Sequence, residues 1–257
     1  MSGVSLVDLH RYLDSVLEPG RYSDYCPNGL QVEGRPEVVR LVTGVTACQA
    51  LIDRAVAWRA DAILVHHGYF WRGEDPCVVG MKRRRLAALV GHDISLLAYH
   101  LPLDMHSEYG NNAQFGALLG VRTEGPLAAQ GDVPGLHGVL AEPMTAADFA
   151  ARLARTLGRE PLHVGCERLG CERPVHRVAW CTGAAQGFID AAVSLGVDAY
   201  ITGEASEQTV HIARENGIHF FAVGHHASER YGVRALGEHV ATHLALEHRF
   251  IDVDNPV

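Results

Sequence analysis

Two pairs of adjacent histidines offer the most direct chemistry in the chain: His66-His67, and His225-His226 with Glu229 shortly after. Each pair follows a short apolar run, Ala62–Val65 in one case and Ile218–Val223 in the other. Imidazole nitrogens and carboxylate oxygens are donors that zinc, iron, manganese, cobalt and nickel accept. His225 and Glu229 are four residues apart, hence on one face of a helix that begins at His225. A third apolar run, Ile94–Tyr99, leads into His100-Leu-Pro-Leu-Asp104, where Pro102 stiffens the loop that holds Asp104. In parallel α/β sheets functional groups gather beyond the carboxyl ends of strands. Here three strand ends each deliver a histidine or a carboxylate, and together they supply more donor atoms than one ion needs. Two ions are therefore expected. In extended backbone His66 and His67 point to opposite sides, and a turn at Gly68 would let each reach its own ion. His100 can be a ligand, an orienter of a ligand or a proton carrier; the last two roles are favoured, which makes it the candidate catalytic residue. His226 reads equally well as a packing residue. Glu204, in the polar turn Thr202–Glu207, either faces the same cleft or marks a helix start.

The elements that must position these groups occur twice. Shifting the chain by 137 positions aligns residues 40–62 with 177–199, with nine identities in 23 ungapped positions. Both copies read as apolar run, small-residue turn, helix, apolar run. The first has a strand over Val38–Val45, a helix over Gln49–Trp58 and a strand over Ala62–Val65. The second has a strand over Arg177–Cys181, a helix over Gln186–Leu195 ended by Gly196, and a strand over Ala199–Thr202. Asp93–Tyr99 and Gly217–Val223 read as equivalent third strands, preceded by helical sequence at Arg83–Val90 and Glu207–Glu215. Strand, helix, strand, helix, strand implies right-handed parallel crossovers, and continuous apolar strands imply a sheet covered on both faces. The fold expected is α/β, with two similar, duplicated lobes, mostly parallel sheets and a metal cleft between them. An opening helix spans Leu6–Leu17 with Ser5 as its N-cap, and another spans Ala146–Leu157 between Thr145 and Gly158. The Gly- and Pro-rich stretch Glu124–Gly138 marks the expected lobe boundary. Residues 1–125 would then carry His66, His67 and Asp104, and residues 126–257 would carry His225 and Glu229.

Composition narrows the classes. Apolar residues make up 47% of 257 positions, enough for a substantial core. No apolar stretch reaches the roughly 18 residues of a membrane span, and no secretion signal is visible, so the cytoplasm is the expected location. The six cysteines (26, 48, 77, 166, 171 and 181) form no Cys-x-x-Cys pair and read as reduced thiols. A formal charge of −8 opposes a broad grip on nucleic acid. The basic run Lys82–Arg85 reads as the solvated face of a helix. Nucleophile-elbow, phosphate-loop and dinucleotide fingerprints are absent from the sequence.

Four separated motifs together resemble the Nif-three-like family, also labelled GTP cyclohydrolase I type 2 homologues. They are Asp24-Tyr-Cys-Pro-Asn-Gly-Leu-Gln-Val-Glu-Gly34, Val65-His-His-Gly-Tyr-Phe-Trp71, His100-Leu-Pro-Leu-Asp104 followed by Gly110-Asn-Asn112, and Gly224-His-His-Ala-Ser-Glu-Arg230. The short bacterial form is the better fit. The resemblance implies a dinuclear centre with ligands at His66, His67, Asp104, His225 and Glu229, holding two divalent ions per chain. It also implies a toroidal homo-hexamer whose metal sites face the inner cavity. Three functions follow as expectations: a metal-dependent hydrolase acting on a small molecule, with ring opening of GTP as the labelled reaction; a non-catalytic protein that stores, delivers or senses metal; and two-metal processing of nucleic acid.

Overall fold

In chain order the first elements are β1 (Val4–Ser5), α1 (Leu6–Leu17), β2 (Gly29–Val32), β3 (Glu37–Val38), β4 (Arg40–Thr46), α2 (Gln49–Ala57), β5 (Ala62–His67), α3 (Gly80–Gly91), β6 (Ser95–Ala98) and α4 (Leu101–Met105). There follow α5 (Asn111–Leu118), β7 (Val121–Pro126), β8 (Leu136–Met144), α6 (Ala146–Leu157), β9 (Leu162–Val164), β10 (Val175–Cys181), α7 (Ile189–Leu195), β11 (Ala199–Thr202), α8 (Glu207–Asn216) and β12 (His219–Ala222). The last two are α9 (His225–Leu244) and β13 (Glu247–Phe250). The structure, a computed structural model, describes residues 3–128, 133–165 and 173–257. Cys166 and Cys171 lie outside the described residues, and Cys26, Cys48 and Cys77 are free thiols.

The chain divides into two compact units, Met1–Gly110 with Arg230–Asp254, and Asn111–Glu229 with Asn255–Val257. This division differs from the expected one at 125/126. That position falls inside β7, which pairs antiparallel with β8 and so ties residues 121–126 to the second unit. Residues 230–254 return to the first unit because β13 pairs in parallel with β4.

The first unit is built on the sheet β13-β4-β5-β6-β2, parallel except for its β2 edge. Its strands alternate between two cores. Leu41, Val45, Ala62, Leu64, Leu97 and Tyr99 face α1 and the later turns of α9, through Leu9, Leu13, Val233, Leu236 and Val240. Val42, Ile63, Val65, Leu96 and Ala98 face α2 and α3, through Leu51, Ile52, Ala55 and Leu89. A one-residue slip would exchange the faces and strand every one of these side chains against the wrong helix, so the register is firmly specified. The N-cap of α1 is as expected: the Ser5 hydroxyl accepts the Asp8 N–H at 3.0 Å. In the basic run, Arg83 and Arg84 are exposed on α3.

The second unit holds the sheet β7-β8-β10-β11-β12-β9. β10, β11 and β12 are mutually parallel, whereas β7, β8 and β9 join by antiparallel pairing, so this sheet is mixed and not mostly parallel. Ala179, Cys181, Tyr200, Phe220 and Ala222 face α7 and α8 through Ile189, Ala192 and Ala213. On the opposite side Phe149 of α6 meets Phe221 edge to face, 5.3 Å between centroids. The expected helix over Gln186–Leu195 begins as a single 3₁₀ turn at Gln186–Phe188 before α7. The Thr145 cap and the left-handed Gly158 bracket α6 as expected.

Each unit therefore contains the motif β-α-β-α-β with sequential parallel strands, and the internal repeat is visible in its hydrogen bonds. Asp61 Oδ2 accepts the N–H groups of Val39 and Arg40, and Asp198 Oδ2 accepts those of His176 and Arg177. Arg35 pairs with Asp61 at 2.9 Å and Arg173 with Asp198 at 3.0 Å. After each first helix the chain takes one left-handed residue, Gly196 in one copy and Arg59 in the other. Asp61 is buried and holds the entry of β4 against the start of β5. Asp61→Ala leaves two main-chain donors and a guanidinium without their acceptor. It should lower unfolding stability by about 2–4 kcal/mol in urea titrations, with Asp61→Asn recovering part of the loss.

Candidate functional site

In the first unit, β5 carries His66 and His67 at its carboxyl end and β6 delivers His100 just beyond its own. Their rings converge: His66 and His67 lie 4.4 Å apart by centroid, His66 and His100 5.0 Å, His67 and His100 5.7 Å. The alternation of a strand predicts that His66 and His67 point apart. Both residues belong to β5, yet their rings come together in a tilted contact. One nitrogen from each of the three histidines lies within 4.8 Å of the others, a spacing suited to a shared metal ion. His66 is fully buried, and its Nε2 is 3.6 Å from Oδ1 of Asp104, which α4 presents. His100 thus joins the candidate ligand atoms directly, the role that its sequence context leaves open but does not favour.

The orientation of these rings is set from behind. His66 Nδ1 donates to the carbonyl of Tyr99 at 3.0 Å. His67 Nδ1 meets the Thr46 hydroxyl at 3.2 Å, and His100 Nδ1 donates to Asp24 Oδ1 at 3.0 Å. A carbonyl or carboxylate can only accept, so His66 and His100 carry hydrogen on Nδ1 and present Nε2 as the lone pair when neutral. Asp24 also accepts from Asn28 and from the Leu101 N–H, and Asn28 Oδ1 accepts the N–H of His100. Burial would raise the Asp24 carboxyl, but the hydrogen bonds from His100 and Asn28, with the His100 charge, outweigh it and hold the group well below the usual carboxylate range. The Cys26 thiol, next along this turn, is pushed up to about 12 by burial and by the Asp24 charge, which keeps it protonated and unreactive.

The second unit has its own cluster. α9 begins at His225, so His225 and Glu229 do share a helix face, with His225 Nε2 3.2 Å from Glu229 Oε2. His225 Nδ1 donates to Glu204 Oε1 at 2.7 Å. Glu204 is therefore an orienting acceptor and not a helix-start carboxylate; Ser206 is the N-cap of α8. His226, also buried, gives its main-chain N–H to the Val257 carbonyl. Sequence reasoning misses Gly183. It has φ +73, and a Cβ there would meet Glu229 Oε1, so a side chain at this position pushes that carboxylate aside. The signal is present in the Cys-Thr-Gly that ends β10. Ser228 and Thr202 pin this turn through the Gly183 N–H and carbonyl, and Asn112 pins it through the Thr182 N–H.

A family model described as Duf34/NIF3 (NGG1p interacting factor 3) matches residues 4–256. The chain belongs to the Duf34/NIF3 family. A Pseudomonas aeruginosa relative named GTP cyclohydrolase 1 type 2 homolog is 59% identical, covering 98% of this chain and 99% of its own. The solved structure of protein ybgI, described as of unknown function, is 50% identical with a TM-score of 0.94, covering 99% of this chain and all of that one. A Thermus thermophilus structure is 32% identical with a TM-score of 0.87 at the same coverage. This Duf34/NIF3 chain is thus α/β with candidate metal-ligand clusters of histidine and carboxylate. Among the described residues no helix is long and apolar enough to cross a membrane.

The donor set fits a divalent cation: imidazole nitrogens beside carboxylates, each ring anchored by its Nδ1. Burial would lower the His225 pKa, but hydrogen bonding and charge from Glu229, then Glu204, raise it to about 9. Because the folded value lies above the unfolded one near 6.5, the stabilisation is fully present below pH ~6.5 and is lost as pH rises through about 9. Chelator-treated protein should therefore lose melting temperature across that window, and His225→Gln should flatten the profile. Gly183→Val should displace Glu229 and reduce retained metal, read by elemental analysis, while the far-ultraviolet circular dichroism stays that of the wild type.

Proposed function

We propose that the chain is a dinuclear metal-binding protein that hydrolyses a small molecule. His66, His67 and Asp104 of the first unit and His225 and Glu229 of the second are its ligands, for two divalent ions drawn from zinc, iron, manganese, cobalt and nickel. The observation that supports this most is the shared anchoring of the imidazoles: His66 and His225 each donate Nδ1–H to an acceptor, which leaves Nε2 for a cation, and His100, held in the same way, keeps Nε2 for proton transfer.

Bound divalent ions supply Lewis acidity, which makes hydroxide accessible near neutral pH and offsets negative charge that develops on the substrate. His100 moves a proton through Nε2 while Asp24 holds its other nitrogen. Glu204 keeps His225 in one orientation, and the carboxylates of Asp104 and Glu229 contribute the anionic oxygens that a pair of cations needs. The name carried by the relatives makes ring opening of GTP the first reaction to assay. A small-molecule substrate is favoured over nucleic acid because the formal charge is −8. We place the protein in the cytoplasm, from the lack of a visible secretion signal, and, following the family resemblance, as a toroidal homo-hexamer; native mass spectrometry reads the assembly.

After metal-replete expression, elemental analysis should give about two ions per wild-type chain and a loss of at least about one in Glu229→Ala. A metal-free wild type would remove the whole reading. The loaded protein should then turn over GTP, a phosphoester or a cyclic amide, with His66→Ala slower by roughly 100-fold or more. Full metal loading with no turnover of any of them would leave a metal-storage or delivery protein in place of a hydrolase.

A further inference from the structure

Beside His100 two loops of the first unit present aromatic rings to solvent. Tyr25 is 51% exposed and Phe70 39% exposed, and Trp71 is half-buried between them and the histidines. Tyr25 and Trp71 lie 5.4 Å apart by ring centroid, and both meet His100 edge-on, at 5.0 and 5.1 Å. Trp71 is also 5.9 Å from the His67 ring. We propose that Tyr25 and Trp71 form a wall on which a planar heteroaromatic ring of the substrate stacks, next to His100. The proposal rests on the hydrolase reading above and names the substrate chemistry of that same site.

The wall is built and held. The indole N–H of Trp71 donates to the Gly68 carbonyl at 3.2 Å and its main-chain N–H to Glu74 Oε2 at 3.1 Å, so its polar edge is engaged and its apolar face is what it offers. The Arg72 N–H donates to the Tyr25 carbonyl at 2.7 Å, and the Arg72 guanidinium to the Asp24 carbonyl at 3.1 Å, which fastens the two loops to each other. The Tyr25 N–H donates to Asp24, the same carboxylate that orients His100. Phe70 takes a left-handed backbone, φ +66, unusual for an aromatic residue. That twist lets Tyr69 turn inward, where its hydroxyl donates to the Ala47 carbonyl and its N–H to Gln31, while Trp71 turns toward the histidines.

The surroundings favour an uncharged ring over an anion. Lys82 lies over the Phe70 ring at 5.2 Å and is already paired with Glu74 at 3.1 Å and the Asp75 carbonyl at 3.0 Å. Phe70 is thus occupied by a cation, whereas Tyr25 is about half exposed beside Trp71. Aromatic faces accept any planar ring by offset stacking, with little regard for its substituents.

Calorimetric titration of the metal-loaded full-length protein with guanosine, GTP and inorganic triphosphate tests the wall. Guanosine should bind wild type, and Trp71→Leu and Tyr25→Leu should each weaken it about tenfold or more, the change expected on losing a stacking face. Trp71→Phe, which keeps a face, should stay within about threefold, and inorganic triphosphate should bind all variants alike. Metal content equal to wild type confirms that the variants are folded. Guanosine that binds both leucine variants as tightly as wild type, or fails to bind wild type at all, overturns the wall. So does GTP affinity that is matched by triphosphate alone. Ring binding that depends on Trp71 without turnover would end the hydrolase reading and keep the wall; turnover with unchanged KM in Trp71→Leu would do the reverse.

Discussion

Four imidazoles in two units are fixed through the same atom, and the chemistry available to the protein depends on it. An imidazole free to rotate offers a cation either nitrogen or neither; one held at Nδ1 offers Nε2 in a single direction. For His66 and His67 the holding partners come from the sheet itself, whereas Asp24 and Glu204 hold His100 and His225 from loops. Thr46 and His67 are register partners across β4 and β5, and the Tyr99 N–H that extends β6 bonds to Val65, which brings the Tyr99 carbonyl behind His66. Parallel pairing thus does more than carry histidines to a strand end. It also carries the acceptors that aim them.

The two copies of the β-α-β-α-β motif use this scaffold differently. Where the first copy has Val65-His66-His67, the second has Thr202-Gly203-Glu204. Glu204 occupies the position of His67 in the repeat, yet it serves as an acceptor for His225, which comes from the helix after β12. The framework contacts, by contrast, are retained: Asp61 and Asp198 bind corresponding main-chain groups and a nearby arginine. The buried acidic anchors have kept one role in both copies while the strand-end residues have diverged.

The legible parts of the sequence are those decided by local chemistry. The start of α1 and both ends of α6 follow from Ser5, Thr145 and Gly158, whose side chains or lack of one determine where a helix starts and stops. The central strands are readable because burial on both faces leaves an unbroken apolar run. The edge strands are not: β2, β7 and β9 are short, partly polar and defined by partners far along the chain. The unit boundary is obscured for a related reason, since Gly and Pro near residue 125 mark a hairpin, and the return of β13 to β4 has no local signature. At the clusters, the histidines and carboxylates announce themselves by type and spacing. Thr46, Asp24 and Gly183 do not, because their contributions are a hydroxyl, an acceptor and an empty volume, each meaningful only beside a distant partner.

The two-segment make-up of the first unit bears on how the protein is born. As the chain leaves the ribosome, β4 emerges some 200 residues before the strand that pairs with its outer side. Throughout that interval its edge lacks its strand partner, and the core beneath α1 lacks Val233, Leu236 and Val240. The second unit, nearly continuous in sequence, can complete itself first. The nascent protein therefore passes through a stage at which an open sheet edge is available to neighbouring chains.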